Sequence, residues 1–306
     1  MNLPITRHRI HYQVITPIKL PEYAGSAWRG AFGHALKNIA CFSAARNKGI
    51  CVCVPAESCL YRQLFDPPMR TLESLREQDV PTPIVIEPVN GGTVLLNDET
   101  SFLDMVLIGD AAQNQLAIIQ LAWMRALHDG VGTADEQGKR GQARLINLVK
   151  VDQPLSVLPT NPQSVHLQIL SPMRLQHHGD LVMPQHLTAS VLMWAIIRRF
   201  NLVHELYGSS QAVEHHAISD AITQIEIDSR LHWMEWTRYS NRQKREMKLS
   251  GLTGRVLLEN VPDVLWPYIY YGQWIHAGKN SMFGLGHFQI VDEDWQSNIK
   301  DKRRTA

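Results

Sequence analysis

The sequence predicts an α+β protein made of two tandem ferredoxin-like (βαββαβ) domains, with a cysteine-containing insert in the first. Its 306 residues have the length of two ordinary domains. The segment QVITPIKL at 13–20 returns as QILSPMRL at 168–175, and LHDG at 127–130 returns as IHAG at 275–278. Two similar segments in the same order, half a chain apart, indicate a duplicated unit.

The second half, residues 163–306, gives the element order most directly. Its apolar spacing predicts strands at 165–170, 222–236, 252–258 and 286–291, and helices at 185–207 and 262–276. The first helix is followed by Gly208, and Pro262 suits the opening turn of the second. The order β-α-β-β-α-β is that of a ferredoxin-like unit.

The first half, residues 1–151, repeats this order with one addition. The pattern predicts strands at 10–20, 84–89, 93–108 and 143–151, and helices at 24–40 and 110–127. An insert at 41–77 separates the first helix from the second strand. The proline-containing stretch 152–162 is predicted to be the linker.

Composition and net charge argue against a membrane protein and limit how the chain could bind nucleic acid. The longest apolar run, at 192–197, is far shorter than the roughly 20 residues of a membrane span, and the N-terminus lacks a signal-peptide core, so a cytoplasmic protein is expected. Net charge is only +1. Any affinity for nucleic acid must therefore come from locally clustered cations.

The segment HAGKNSMFGLGHF at 276–288 follows a predicted helix and is rich in glycine. Its candidate binding residues are Gly278, Lys279, Ser281, Gly284 and Gly286. Glycine lets backbone N–H groups approach a phosphate closely, and the lysine adds a positive charge. The alternative interpretation is a helix C-cap followed by a plain turn.

The stretch RYSNRQKREMK at 238–248 has five basic side chains and one acidic one. It falls between two predicted strands, which places it at a hairpin tip or sheet edge, where it is expected to share a surface with the glycine-rich loop. Arginine and glutamine suit phosphates and base edges, and tyrosine offers a stacking face. The candidate residues are Arg238, Tyr239, Arg242, Gln243, Lys244, Arg245 and Lys248. The alternative is a solvated charged turn.

Four cysteines, Cys41, Cys51, Cys53 and Cys59, are confined to the insert and its borders. Such a set is typical of a closed, structural zinc site in a reducing compartment. Buried thiols and redox-labile pairs are the alternatives. Four thiolates would leave no open position for water, so the metal would have no catalytic role.

Taken together, the motifs resemble the CRISPR repeat-processing endoribonucleases of the RAMP superfamily, in the branch with a cysteine-bearing N-terminal insert. The resemblance spans nearly the whole chain. It is carried by TPIKL at 16–20, AGSAWRGAFGHAL at 24–36, CLYRQLFDPP at 59–68, RYSNRQ at 238–243 and the glycine-rich loop at 278–286. One departure is that the family's C-x2-C pair is C-x-C here, at 51–53.

The resemblance implies metal-independent cleavage of CRISPR precursor RNA within each repeat hairpin, with no catalytic cofactor. It implies that a ribose 2′-hydroxyl attacks the neighbouring phosphate and leaves a 2′,3′-cyclic phosphate. The implied partners are the repeat hairpin and other subunits of a CRISPR ribonucleoprotein. Two alternatives stay open: a non-catalytic guide-RNA-binding subunit of an interference complex, and a scaffold that binds proteins.

The resemblance also suggests catalytic roles. His34, on the first predicted helix, is the expected proton-transfer residue, and a helical histidine that only packs is the alternative. Arg29 is expected to stabilise the charged phosphorane. The two are about 140° apart on an ideal helix, so they need not share a face. His276, at the mouth of the glycine-rich loop, is the substitute for His34.

Overall fold

The computed structural model describes residues 3–41, 59–67, 80–208, 215–240 and 245–292, and the chain divides into two compact units. Unit 1 comprises Met1–Pro154, Leu202–Gln211 and Met282–Gly284, and unit 2 comprises Leu155–Asn201, Ala212–Ser281 and Leu285–Ala306. The sequence-based domain boundaries, 1–151 and 163–306, stay a prediction, as does the linker between them.

Unit 1 has a four-stranded antiparallel sheet with two main helices on one face. Its strands are β1 (Ile5–Val14), β2 (Ile18–Lys19), β3 (Ile84–Pro88), β4 (Val94–Leu95), β5 (Thr100–Ile108) and β6 (Ala143–Asp152). Its helices are α1 (Gly25–Ala40), α2 (Leu60–Leu64), α3 (Asp110–Gln113) and α4 (Leu116–Asp129). The sheet order is β3-β5-β1-β6, and β2 pairs with β4 separately.

An aromatic cluster joins the helices of unit 1 to its sheet. Trp28 and Phe32 of α1 lie 6.3 Å and 4.8 Å from Trp123 of α4, measured between ring centroids, and Tyr12 of β1 lies 5.3 Å from Trp28. All four side chains are buried. Rings at these separations add to the free energy gained by burying their apolar surface.

The opposite face of this sheet carries ion pairs. Arg7 of β1 contacts Glu87 of β3 at 2.8 Å and Asp152 of β6 at 2.7 Å, and Arg9 contacts Asp104 at 2.8 Å. Because side chains alternate along a strand, Arg7 and Arg9 point away from Ile10 and Tyr12, which belong to the core.

Unit 2 has the same architecture. Its elements are β7 (Val165–Met173), β8 (Gln176–His177), β9 (Asp180–Leu181), α5 (Ala189–Tyr207, continuing into unit 1), α6 (His215–Ile222), β10 (Glu226–Ser240), β11 (Arg245–Glu259), α7 (Trp266–Ile275) and β12 (Phe288–Val291). The sheet order is β10-β11-β7-β12. In each sheet the first main strand lies between the third and the fourth, and the second lies at the edge beside the third, which confirms tandem ferredoxin-like folds.

The strands β10 and β11 extend beyond their sheet. They pair along their whole length, from Glu226↔Glu259 to Ser240↔Arg245. The neighbouring strand β7 pairs with β11 only over Leu252–Leu258. Within the described part of the chain, the outer part of this hairpin is therefore a two-stranded ribbon.

Several elements differ from the sequence prediction. The strand predicted at 93–108 is two strands, separated by a turn in which Asp98 has a φ of 65°. The helix predicted from 185 begins at Ala189, because Pro184–His186 forms a 3-10 turn instead. The helix α6 was not predicted, and its last residue, Ile222, was assigned to a strand. Of the helices in the described ranges, each is too short or too polar to span a membrane.

Candidate functional site

His34 lies on the solvent-facing side of α1. The helix buries Trp28, Phe32 and Leu36 against the sheet, so residue 34 falls on the opposite side, where its imidazole is exposed. Its Nδ1 is 3.3 Å from the side-chain amide nitrogen of Asn38, one turn further on. The amide therefore orients the ring and leaves Nε2 accessible to a ligand.

Arg29 serves the packing of α1. Its guanidinium lies over the Phe65 ring, 3.9 Å from the centroid, and Nη2 donates to the Phe65 carbonyl at 3.1 Å. Phe65 caps the short helix α2, so these contacts hold α2 against α1. The structure does not bring Arg29 to the exposed side of α1 where His34 lies. Its expected contact with a phosphorane stays a prediction.

The tip of the glycine-rich loop, Met282–Gly284, packs within unit 1. The Tyr23 hydroxyl donates to the Phe283 carbonyl at 2.9 Å, and the Phe283 ring lies 5.3 Å from the Arg29 guanidinium carbon. A Cβ on Gly25 would overlap the Phe283 carbonyl oxygen, and one on Gly284 would overlap the Ile86 carbonyl oxygen. These close approaches account for both glycines by packing alone.

The root of the same loop is held within unit 2. The Lys279 N–H donates to the Arg174 carbonyl at 2.9 Å, and the Gly286 N–H donates to the Pro172 carbonyl at 3.1 Å. Gly278 and Gly286 have φ values of 85° and 72°, which favour glycine. Two of the backbone donors expected to face phosphate therefore bind protein carbonyls. The side chain of Lys279 is exposed, whereas Ser281 is buried.

His276 is fully buried in unit 2. Its Nδ1 lies 3.1 Å from the Leu285 carbonyl oxygen, and its ring stacks on that of His287. Its φ of 65° with a ψ of 173° belongs to a region that only glycine occupies readily. These contacts hold His276 in a strained backbone conformation, and a role in proton transfer stays a prediction.

The basic run is placed by its backbone only. Arg238 and Tyr239 lie near the end of β10, and Arg245 and Lys248 lie near the start of β11, so they occupy the far end of the ribbon. Arg242, Gln243 and Lys244 fall outside the described residues, and a shared surface with the glycine-rich loop stays untested.

Two cysteines of the insert, Cys41 and Cys59, are buried. Cys41 follows α1 and Cys59 precedes α2, while Cys51 and Cys53 belong to ranges that the structure does not describe. Burial, with the nearby Asp66 carboxylate second, raises the pKa of the Tyr61 phenol, and both cysteines add to that rise. The two cysteines that the structure describes thus lie at the ends of α1 and α2, where they are shielded from solvent.

Arg174 lies at the root of the glycine-rich loop and is a candidate site residue that the sequence analysis did not identify. Its Nη1 donates to the Ser250 carbonyl at 3.2 Å, and partial burial lowers the pKa of its guanidinium. Its own carbonyl receives the Lys279 N–H at the root of the glycine-rich loop. The internal repeat could have identified Arg174, because this residue occupies in the second copy (168–175) the position that Lys19 occupies in the first copy (13–20).

Two family models match consecutive parts of this chain. The AF_1859_N model, described as an N-terminal domain, matches residues 3–169. The model of the CRISPR-associated endoribonuclease Cas6 matches residues 167–288, which include the glycine-rich loop. An uncharacterized protein of Archaeoglobus fulgidus is 24% identical over 282 residues, which cover 89% of this chain and 92% of that protein.

Solved structures are similar over nearly the whole chain. A product complex of Thermus thermophilus Cas6 has a TM-score of 0.60 at 14% identity, covering 93% of this chain and 100% of that one. A partial Cas6-RT-Cas1–Cas2 complex has a TM-score of 0.57 at 13% identity, over 95% of this chain and 46% of that one. A RAMP protein binding different RNA substrates has a TM-score of 0.52 at 10% identity, over 94% and 100%. At identities this low, the structural similarity shows a shared fold and no more.

Proposed function

Because residues 167–288 of this chain match the model of the CRISPR-associated endoribonuclease Cas6, we propose that the chain is a Cas6 endoribonuclease that binds the repeat hairpin of CRISPR precursor RNA and cleaves the RNA within each repeat. The observation that carries this proposal is the family match over residues 167–288, which covers most of the second ferredoxin-like unit, including the glycine-rich loop and the basic run at 238–248. Cleavage releases guides that end in a 2′,3′-cyclic phosphate.

The reaction that we propose needs no catalytic metal. The ribose 2′-oxygen attacks the adjacent phosphorus while the bond from phosphorus to the 5′-oxygen breaks. One group accepts the 2′-hydroxyl proton and another supplies a proton to the leaving 5′-oxygen. The nucleotides must be held in line, and cations must stabilise the charged phosphorane.

We assign one of the two proton transfers to His34. Its imidazole is exposed and reaches a ligand through Nε2, since Nδ1 faces the Asn38 amide. When the Asn38 amide nitrogen donates to Nδ1, the ring is neutral and its Nε2–H can donate a hydrogen bond to phosphate but is too weak an acid to supply a proton, so the general acid requires a protonated ring whose Nδ1–H faces the amide oxygen. When the amide oxygen accepts from Nδ1, Nε2 is unprotonated in the neutral ring and suits the general base.

The other expected site residues keep their roles as parts of the proposal. Arg29 is a candidate for the phosphorane contact, and His276 is the substitute for His34. The basic run at 238–248 would contact the hairpin, and Lys279, with its exposed ammonium, would contact phosphate at the loop.

Incubating the full chain with a labelled repeat hairpin in excess EDTA tests the function. We expect a single cleavage position and a product that ends in a 2′,3′-cyclic phosphate, recognised because acid treatment opens it to a mixture of 2′- and 3′-phosphates. Tight binding without cleavage would instead favour the non-catalytic guide-RNA-binding subunit. Products that require added Mg²⁺ would contradict the proposed mechanism.

A structural zinc ion bound by Cys41, Cys51, Cys53 and Cys59 is a separate part of the proposal. It is supported by the clustering of all four cysteines between residues 41 and 59 and by the burial of Cys41 and Cys59. Elemental analysis of the purified chain should give about one zinc per molecule, and Cys59→Ser should lower both the zinc content and the melting temperature. If the purified chain contains no zinc and Cys59→Ser leaves its melting temperature unchanged, a structural zinc site is excluded.

A further inference from the structure

The open face of the sheet in unit 1 holds a small surface that the proposed cleavage chemistry does not use. Arg9 and His11 project from β1 and Phe102 projects from β5, all on the face opposite α1 and α4. His11 and Phe102 are paired directly across the two central strands of the sheet. All three side chains are partly exposed. We call these three residues the stacking face.

Contacts within the stacking face hold its planar groups in place. The Arg9 guanidinium lies 3.9 Å from the Phe102 ring centroid, and the His11 ring lies 5.9 Å from the same centroid. The Asp104 carboxylate receives two hydrogen bonds from Arg9, each 2.8 Å long. Because both oxygens bind one planar fork, the orientation of the guanidinium is fixed before any ligand arrives.

Polar groups border the stacking face on the side of the edge strand β6. Asn147 is exposed and paired with His11, and it offers an amide to a base edge. Arg144 is exposed and donates to the Gln13 side-chain oxygen at 2.9 Å, which keeps its guanidinium beside the same face. Its contact is to a neutral amide, so its positive charge is available to a phosphate.

We propose that the stacking face binds unpaired RNA next to the repeat hairpin, over about two or three nucleotides. Rings and guanidinium planes on the central strands of a ferredoxin-like sheet suit bases that are not already stacked in a duplex. Arg144 adds a phosphate contact, and Asn147 a hydrogen bond. This inference rests on the proposed function for the identity of the RNA, while the stacking chemistry is independent of cleavage.

The test uses the full chain and four RNAs: the hairpin alone, the hairpin with an unpaired 5′ tail, the hairpin with an unpaired 3′ tail, and an isolated single strand. Fluorescence anisotropy gives the affinity of each RNA. We expect one of the tails to tighten binding by about tenfold, the contribution of roughly one base stack. Phe102→Leu should abolish that gain and leave binding of the bare hairpin unchanged.

Two further variants separate stacking from folding and charge. Phe102→Tyr keeps an aromatic ring and should retain the gain, which excludes a general folding defect as its cause. Arg144→Gln should reduce the slope of log affinity against log salt by about 0.7 for the tailed RNA, as one lost phosphate contact does in single strands.

Three results would overturn the inference: a tail that adds no affinity, a Phe102→Leu variant that keeps the full gain, or equal weakening of tailed and bare hairpins. Failure of the proposed function is distinguishable. If the chain cleaves no repeat RNA but still binds the single strand in a Phe102-dependent manner, the inference stands and the cleavage proposal falls.

Discussion

The imidazole rings of His276 and His287 stack in parallel, with centroids 4.7 Å apart and an interplanar angle of 2°. These residues flank the glycine-rich loop, so the stack joins the two ends of the loop. The backbone reinforces this closure, since the Ala277 N–H donates to the Gly286 carbonyl at 3.0 Å. The root of the loop is thus closed by side chains and by the main chain.

His276→Ala should lower the free energy of unfolding by about 1–3 kcal/mol, because it removes the ring contacts while the backbone strain at positive φ persists. His276→Gly removes the same contacts but relieves the strain, and should therefore cost less than the alanine variant. Urea unfolding of both variants checks the order. Equal stability of the two would contradict the strained conformation at this position.

His34→Ala should lower the single-turnover cleavage rate by about 100-fold or more, the contribution of a positioned acid or base, with hairpin affinity retained. His128→Ala is the matched control, because His128 is also an exposed histidine on a helix of unit 1. An unchanged rate for His34→Ala would remove this residue from the mechanism. A loss in the His128 variant would point to general effects of surface histidines.

Gly25→Ala should undock the loop tip from unit 1, because the new Cβ would overlap the Phe283 carbonyl oxygen. We expect a lower melting temperature and weaker cleavage. Gly30→Ala is the control on the same helix: a Cβ there meets no described atom within 4 Å, so the variant should gain up to about 1 kcal/mol of stability. Tolerance of Gly25→Ala would show that the tip does not depend on this approach.

Glu87→Ala should lower the free energy of unfolding by about 3–5 kcal/mol, the usual cost of removing one partner from a buried ion pair. Arg7 and Glu87 are both buried, and the Arg7 guanidinium bonds both Glu87 oxygens, at 2.8 Å and 3.0 Å. Asp152→Ala should cost less, since the Asp152 side chain is 41% exposed. Thermal unfolding measures both, and the reverse order would contradict the assignment.

His8 should make stability depend on pH. Burial, with the Lys150 ammonium second, lowers the pKa of His8 from its ordinary value of 6.5. The unfolded chain then binds a proton near this pH that the folded chain does not, so stability from this source is complete above about 6.5 and is lost as pH falls below it. Unfolding at about pH 7.5 and about pH 5.5 should show a smaller loss in His8→Gln than in the wild type. Equal losses would exclude His8 as the source.

The tandem fold was predictable because its internal contacts recur with the sequence repeat. The Lys19 carbonyl accepts the Thr133 N–H at 2.8 Å, and the Arg174 carbonyl accepts the Lys279 N–H at 2.9 Å. Lys19 and Arg174 hold the same place in the two copies of the repeat. In both units the end of the first strand binds a loop, and this contact requires similar residue types in each copy. The duplication can therefore still be recognised in the sequence.

The environment of the candidate site was less predictable, because it depends on contacts between residues far apart in the chain. A helical spacing places Arg29 on α1, but its stacking on Phe65, 36 positions away, appears only in the folded structure. The burial of His276 could not be predicted for the same reason, because the sequence pattern of a histidine before a glycine-rich loop is compatible with a buried or an exposed side chain. The helix α6 was missed because the alternating residues of β10 begin only four positions after Ile222.

The hairpin of β10 and β11 sets how far the basic run lies from the body of unit 2. Seven cross-strand pairs, from Met234↔Gly251 to Ser240↔Arg245, lie beyond the last residue pair that β11 forms with β7. Each pair adds about 3.3 Å, and successive pairs face opposite sides. Relatives that lengthen or shorten this hairpin by two pairs would shift their cations by about 7 Å and keep them on the same side, so hairpin length offers a way to match RNA stems of different size without altering either sheet.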